Sequence, residues 1–321
     1  MLFWYIKRFR LTVILFSSFG GVYRVNLFRS WFFLEISLMG FIFWIRAYLY
    51  MSQFQLIIKL FIIQSIGGLL LLIFLLIKEV YSLELVNTLL IVIILVKIGA
   101  IPFHWWALKI VNILNWDNLI VFLTILKIIP LFLLQNTFTN FLVLIGLLSF
   151  IISGVRRIYS NNLKILIFWS SLFFLGILLI RLKKGGVNWL RLLIAYALIL
   201  FPLAKLFKEA KVTQYNLNNS NLIARINLLR FFLLINLIGL PPFPGFFLKL
   251  LWVLESKQSF IEVFIFLSSN IIIIFIYLSF LLKSFSLLVR RGVSINSYRL
   301  GIKIFFLGAI FFLLLSSFLV Q

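Results

Sequence analysis

Long apolar runs separated by short polar breaks organise this chain. Stretches of about 20 mostly apolar residues, the length a helix needs to cross a bilayer, fall near 11–24, 27–48, 56–77, 85–108, 117–135, 139–155, 163–181, 188–207, 229–248, 261–282 and 302–320. The pattern predicts an all-α, polytopic transmembrane helix bundle of about eleven helices, built as one membrane domain over residues 1–321. The longest polar stretch, KEAKVTQYNLNNSNLIARIN at 208–227, reads as a loop inside that domain, because neither flank offers a soluble core. No simple sequence repeat is apparent.

Composition sharpens this reading. Hydrophobic residues make up 64% of the 321, Phe alone contributes 39, and charged types only 12%; the mean hydropathy is +1.21. Soluble domains run near roughly 45–50% apolar residues, so lipid must take the place of water around this chain. The formal charge of +23 does not mark a nucleic-acid binder, which would gather its basic residues on a hydrophilic face. Here they punctuate apolar runs. The absence of cysteine excludes disulfides, thiolate metal sites and Cys nucleophiles, and one histidine with seven acidic residues leaves little for a metal cluster. The opening MLFWYIKRFR is a short basic flank. The first apolar segment then reads as a retained helix rather than a cleaved signal peptide. No Arg-rich import presequence is visible, which fits synthesis inside an organelle.

Of the 30 lysines and arginines, nineteen fall on the N-terminal side of the predicted bundle and eight on the other. The positive-inside rule therefore puts the N-terminus on the cytoplasmic or matrix side. Three lysines remain, Lys97, Lys127 and Lys249, each within or at the end of an apolar helix, and Glu35 joins them in WFFLEISLMGF. Ionisable groups at such depth cost several kcal/mol and normally face a partner or a water-filled path. Lys249 has the plainest alternative, snorkelling from a helix end. Each lysine also stands beside helix breakers: Lys97 before Gly99 and Pro102, Lys127 before Pro130, Lys249 after Pro241, Pro242, Pro244 and Gly245. A broken membrane helix exposes backbone polar groups to an internal cavity, a pattern of transporters. Burial disfavours an ammonium's charge while a carboxylate neighbour favours it, so Glu35 is placed to modulate Lys97, with Lys127 extending a path toward Lys249. His104 suits either proton relay or a helix-end hydrogen bond in PFHWW. The glycine pairs 20–21, 67–68 and 185–186 permit close packing or turns and form no phosphate loop. Asp117 reads as a helix cap, and Glu79 and Glu84 as loop residues.

Two stretches, VKIGAIPFHWW at 96–106 and NLIGLPPFPGFFLKLLW at 236–252, carry a family resemblance. WFFLEISLMGF, KLFIIQSIGGLLLL, LTILKIIP and LKILIFWSSLFFLG support it in order. The chain resembles the NADH dehydrogenase subunit 2 family, the mitochondrially encoded antiporter-like membrane subunits of respiratory complex I. The resemblance implies an eleven-helix antiporter-like fold with broken helices in the mitochondrial inner membrane. It implies proton translocation coupled to electron transfer from NADH to ubiquinone. By it, Glu35 looks like the family's acidic residue, Lys97 its partner in a broken helix, Lys127 the central lysine, Lys249 the lysine of the second broken helix and His104 the motif histidine. It implies no cofactor on this chain, with FMN, iron–sulfur clusters, NADH and ubiquinone held elsewhere in the complex. Its partners would be other membrane-arm subunits, peripheral and accessory subunits, and membrane lipids. Pro244 departs from the family's usual small polar residue, and 182–227 is divergent. The other readings are a stand-alone cation/proton antiporter and a structural subunit without its own proton path.

Overall fold

A computed structural model describes residues 2–22, 27–46, 51–80, 84–135, 137, 140–160, 162–182, 188–209, 236, 237, 239, 244–255 and 260–289. The predicted segment 302–320, most of 229–248 and the polar stretch from 210 lie outside the described residues. The helices are α1 (Leu2–Gly20), α2 (Leu27–Arg46), α3 (Met51–Val80), α4 (Glu84–Ile98), α5 (Trp105–Ile113), α6 (Trp116–Leu123), α7 (Ile128–Gln135), α8 (Asn140–Ile158), α9 (Leu163–Leu182), α10 (Asn188–Glu209), α11 (Pro244–Glu255) and α12 (Phe260–Val289). Among the described residues, six stretches are long and apolar enough to cross a membrane, including Phe54–Lys78, Trp116–Gln135 and Leu163–Leu182. The chain is an all-α polytopic membrane bundle.

Contacts gather into two units, 1–149 with 182–186, and 150–181 with 187–321. In the first unit α1 packs on α2, α2 on α3, and α3 on both α4 and α5, while α7 touches α1, α2 and α4. Its outer face is apolar. Ile58, Ile62, Ile66, Leu69, Ile73 and Leu76 of α3 are all exposed, and their spacing of three and four places them on one stripe of the helix. A surface of that kind is stable only against lipid or another apolar chain. In the second unit α10 packs on α11, and α9 is mostly buried, more so than the α8 and α12 spans.

Several boundaries differ from expectation. α1 begins at Leu2, because Lys7, Arg8 and Arg10 are good helix formers and no breaker precedes Gly20. Glu79 and Glu84 belong to the last turn of α3 and the first turn of α4 rather than to a loop. Asn115, not Asp117, holds the extended cap position of α6 (φ −66°, ψ 158°). Asp117 sits in the first turn instead, where the helix dipole favours an acid. Arg157 is not a loop-flanking charge: α8 continues to Ile158 and buries it.

Candidate functional site

The segment expected near 85–108 is divided at Gly99, and the division is built from the backbone outward. Ala100 N donates to Leu95 O at 3.0 Å and Gly99 N to Val96 O at 3.1 Å, with Gly99 at φ +69°. This is the paired bond pattern of a Schellman cap, which needs a left-handed residue after the helix. Glycine is required there: a Cβ would meet Ala107 Cβ at 3.1 Å and the Trp106 ring at 3.2 Å. The helix end would otherwise present bare carbonyls in an apolar medium. Two side chains cover them, Gln64 Nε2 donating to Lys97 O at 3.0 Å and Trp106 Nε1 to Val96 O at 3.1 Å. Replacing Gly99 by alanine is expected to destabilise the chain by at least about 1–2 kcal/mol, the left-handed penalty of a residue with a Cβ. A lower thermal-inactivation temperature in native membranes would show it.

Lys97 closes the last turn of α4, and its side chain is 1% exposed. Its Nζ donates to Glu35 Oε1 of α2 at 2.6 Å, the two residues being 62 apart in sequence. The pair exists because α3 has no side chains where it passes. A Cβ on Gly68 would run into the Glu35 carboxylate and come within 3.0 Å of Lys97 Nζ, and one on Gly67 would lie 3.3 Å from Lys97 Cγ. Trp31, one helical turn before Glu35, donates its indole N–H to Gly68 O at 2.8 Å and fixes α2 against this bare patch.

Lys127 lies across a cavity of about 40 Å³ from the same site, with Lys97, Gln64, Ser37 and the carbonyl-bearing turn at Leu126 among its lining. Phe41 stacks on Phe122 at 5.9 Å and Trp106 meets Phe122 edge-on at 5.9 Å, so part of the wall is aromatic. The helix break here falls earlier than the proline that was expected to make it. It occurs at Thr124 (φ −120°, ψ −70°), followed by a single 3-10 turn over Ile125–Lys127. The Thr124 hydroxyl donates back to Ile120 O at 2.7 Å, in competition with the helix ladder. Pro130 stands in the first turn of α7, where a missing N–H is tolerated. The proline nevertheless leaves the Leu126 carbonyl without its i+4 donor, beside the cavity.

Lys249 belongs to the second unit. α11 starts on Pro244, as prolines favour, and Lys249 Nζ donates to Asn270 Oδ1 of α12 at 2.8 Å. Gly239 has φ +73° and donates to Asn236 O at 3.2 Å, and a Cβ there would press on Lys249 Cδ at 3.0 Å. Gly245 N donates to Asn236 Oδ1 at 2.8 Å. The two breaks share a sequence pattern. Ile-Gly-x-x-Pro-Phe followed by Leu-Lys recurs at 98–109 and 238–249, and the glycine of each copy is left-handed and bonded three residues back. The buried ammonium sits before the break in the first copy and after it in the second.

The structure thus puts Lys97 and Lys127 on one cavity, pairs Glu35 with Lys97, and gives Lys249 a polar partner of its own. His104 is not among the cavity's lining. It holds the cap position of α5, half-exposed, with Nδ1 3.1 Å from Pro102 O, the arrangement of a helix-end contact. Sequence reasoning missed Gln64, Gly68, Trp31 and Asn270. Gln64 and Asn270 could have been found as lone amides inside apolar runs. Among the described residues no group of three or more His, Asp or Glu side chains is placed to hold a metal ion.

Known proteins resemble this chain in sequence and in fold. Residues 25–273 match the family described as NADH:quinone oxidoreductase/Mrp antiporter, TM. A 193-residue stretch is 32% identical to NADH-ubiquinone oxidoreductase chain 2 of Anopheles gambiae, covering 59% of this chain and 56% of that one. The match therefore spans about half the mosquito protein's length. The Rhipicephalus sanguineus protein of the same name is 26% identical over 260 residues, with 80% of this chain and 83% of the relative covered. In fold, the chain is similar to one in respiratory complex I from Thermus thermophilus, with TM-score 0.79, 16% identity, and coverage of 98% of this chain and 80% of that chain.

Proposed function

The chain belongs to the NADH:quinone oxidoreductase/Mrp antiporter family, and from that premise we propose that it is the second membrane subunit of a mitochondrial NADH:ubiquinone oxidoreductase. Its role there is proton translocation. The observation that carries this reading is the pairing of the buried Lys97 with the partly buried Glu35 at a broken helix, with Lys127 on the cavity that Lys97 lines. An ammonium bound to a carboxylate keeps its proton, and one released from it can pass the proton on. Alternate closure and opening of the pair would therefore load and unload Lys97. Water in the cavity would carry the proton to Lys127, and Lys249, held by the Asn270 amide, would be the proton-carrying group of the second unit. Residues 1–321 act as one antiporter-like domain in this reading, in the inner membrane with the N-terminus on the matrix side. NADH, FMN, iron–sulfur clusters and ubiquinone belong to partner subunits, so redox chemistry drives this chain from outside. The other membrane-arm, peripheral and accessory subunits and the surrounding lipids are its partners.

Lys127→Met tests the reading. Methionine fills a similar volume without a charge, and replacing a buried ion by an apolar residue is often neutral for stability. The expected outcome in native membranes is normal subunit content and a lowered ratio of protons moved to electrons passed. An unchanged ratio sinks the translocation role. Cation/proton exchange by the purified chain alone in liposomes would favour a stand-alone antiporter instead.

A further inference from the structure

Gln64 stands inside the apolar run of α3 and is only 7% exposed. Its one hydrogen bond fixes how its carboxamide is turned. Nε2 donates to Lys97 O at 3.0 Å. A backbone carbonyl can only accept, so the amide nitrogen and not the oxygen must face it. The oxygen is therefore on the other arm of the amide, where it accepts no hydrogen bond from the described residues. An amide oxygen out of bulk water is costly to leave without a donor.

That oxygen belongs to a residue lining the cavity of about 40 Å³ that Lys97 and Lys127 share. Ser37 lines it too, but its hydroxyl already donates to Leu34 O at 2.7 Å. The lysines bring donors alone, since an ammonium has three N–H groups and no acceptor. One water needs about 10–15 Å³ and two to four polar partners, so the cavity has room for about three. A water between two lysines can take an ammonium hydrogen on its lone pairs. Its own hydrogens then need an acceptor. The Gln64 oxygen supplies one without a charge, so it can turn the water without pairing with either lysine as a carboxylate would.

We propose that Gln64 is a positioning residue whose amide oxygen holds the water through which Lys97 passes a proton to Lys127. In that step Lys97 Nζ gives a proton to the water, and one of the water's own protons moves to an uncharged Lys127 Nζ. The water's other hydrogen stays bonded to Gln64. The water is restored, and the amide neither gains nor loses a proton. The inference rests on the translocation reading and adds the group that sets the direction of the water.

An electron cryo-microscopy map of the native assembly containing this chain, fine enough to show ordered water, is the first half of the test. The expected map has a water about 2.5–3.0 Å from Gln64 Oε1, lost in Gln64→Met, which fills a similar volume without the amide. The second half is pumping in native membranes, where Gln64→Met is expected to lower the number of protons moved per electron passed. Trp106→Phe is the comparison, because it keeps a ring beside Phe122 and removes the other side-chain bond to the end of α4. A capping role alone makes the two variants alike in thermal inactivation and in pumping. The positioning role gives the larger fall in pumping to Gln64→Met. Equal falls, or no water at Gln64 Oε1 in the unsubstituted protein, overturn the proposal, and the unsubstituted map decides it if Gln64→Met does not assemble. Lys127→Met on the same membranes separates the two failures. A lowered ratio there with an unchanged one in Gln64→Met removes Gln64 alone, whereas unchanged ratios in both remove the translocation reading beneath it.

Discussion

Lys97→Ala is expected to slow proton transfer through the first unit by about 10²–10⁴-fold, the contribution of a positioned proton-transfer group. Assembled complex carrying it would then move fewer protons per electron. The same substitution leaves Glu35 without the ammonium that approaches it to 2.6 Å. Removing one partner of a buried pair costs about 3–5 kcal/mol, whereas removing both is often close to neutral. The double substitution Glu35→Ala with Lys97→Ala is therefore expected to be more stable than Lys97→Ala alone, yet equally defective in pumping. Thermal inactivation and the proton-to-electron ratio, measured on the same membranes, separate the two effects. Unchanged pumping in Lys97→Ala would remove it as a relay. A double variant no more stable than the single would show that the pair is not an isolated energetic unit.

The second large effect is expected from Gly68→Ala, a change that adds one methyl group and no charge. In an ordinary helix interior this substitution stabilises by about 0.5–1 kcal/mol. At this position the new Cβ occupies the place of the Glu35 carboxylate oxygen, so the carboxylate must swing away from Lys97. Loss of the pair, at about 3–5 kcal/mol, outweighs the gain in helix propensity several-fold, and the sign reverses. Gly67→Ala is the control. Its Cβ would meet only the Lys97 stem, at 3.3 Å, and a few tenths of an ångström of movement relieve that contact. We expect lost stability and lost pumping in the first variant and a much smaller change in the second. Equal behaviour of the two would mean that the bare patch on α3 does not position the pair.

The helices and the buried ions were legible in the sequence because membrane burial writes both in composition. An apolar run such as 163–181 has almost no alternative to a helix, and α9 follows it to within one residue. Lys97 was conspicuous because nothing near it in the chain explains its charge. The break at Gly99 was legible for the same local reason, a glycine and a proline after an apolar run. Thr124 was harder to read, since a back-bonding hydroxyl bends a helix only when its surroundings leave the ladder weak. Arg157 was misplaced because charge counting assigns any basic residue near a helix end to the water. Arg157 packs against Phe173 of the next helix and Tyr277 of a helix far along the chain, and charge counting sees neither. Gly68 was seen only as packing, and its reason is three-dimensional, an ion pair formed by two other helices.

The separation of Glu35 from Lys97 along the chain also bears on how the protein is made. A ribosome that has delivered α2 and α3 to the membrane has still to build α4. During that interval Glu35 enters the bilayer with Trp31 able to dock on Gly68 but without its cation. An acidic residue near the middle of an isolated span costs about 2.5–3.5 kcal/mol to insert. The apolar run of α3, which continues unbroken by charge from Leu60 to Ile77, supplies the insertion strength that α2 lacks during this interval. Biosynthesis thus passes through an intermediate in which a helical hairpin shelters an orphan carboxylate, and translation of α4 is the step that neutralises it.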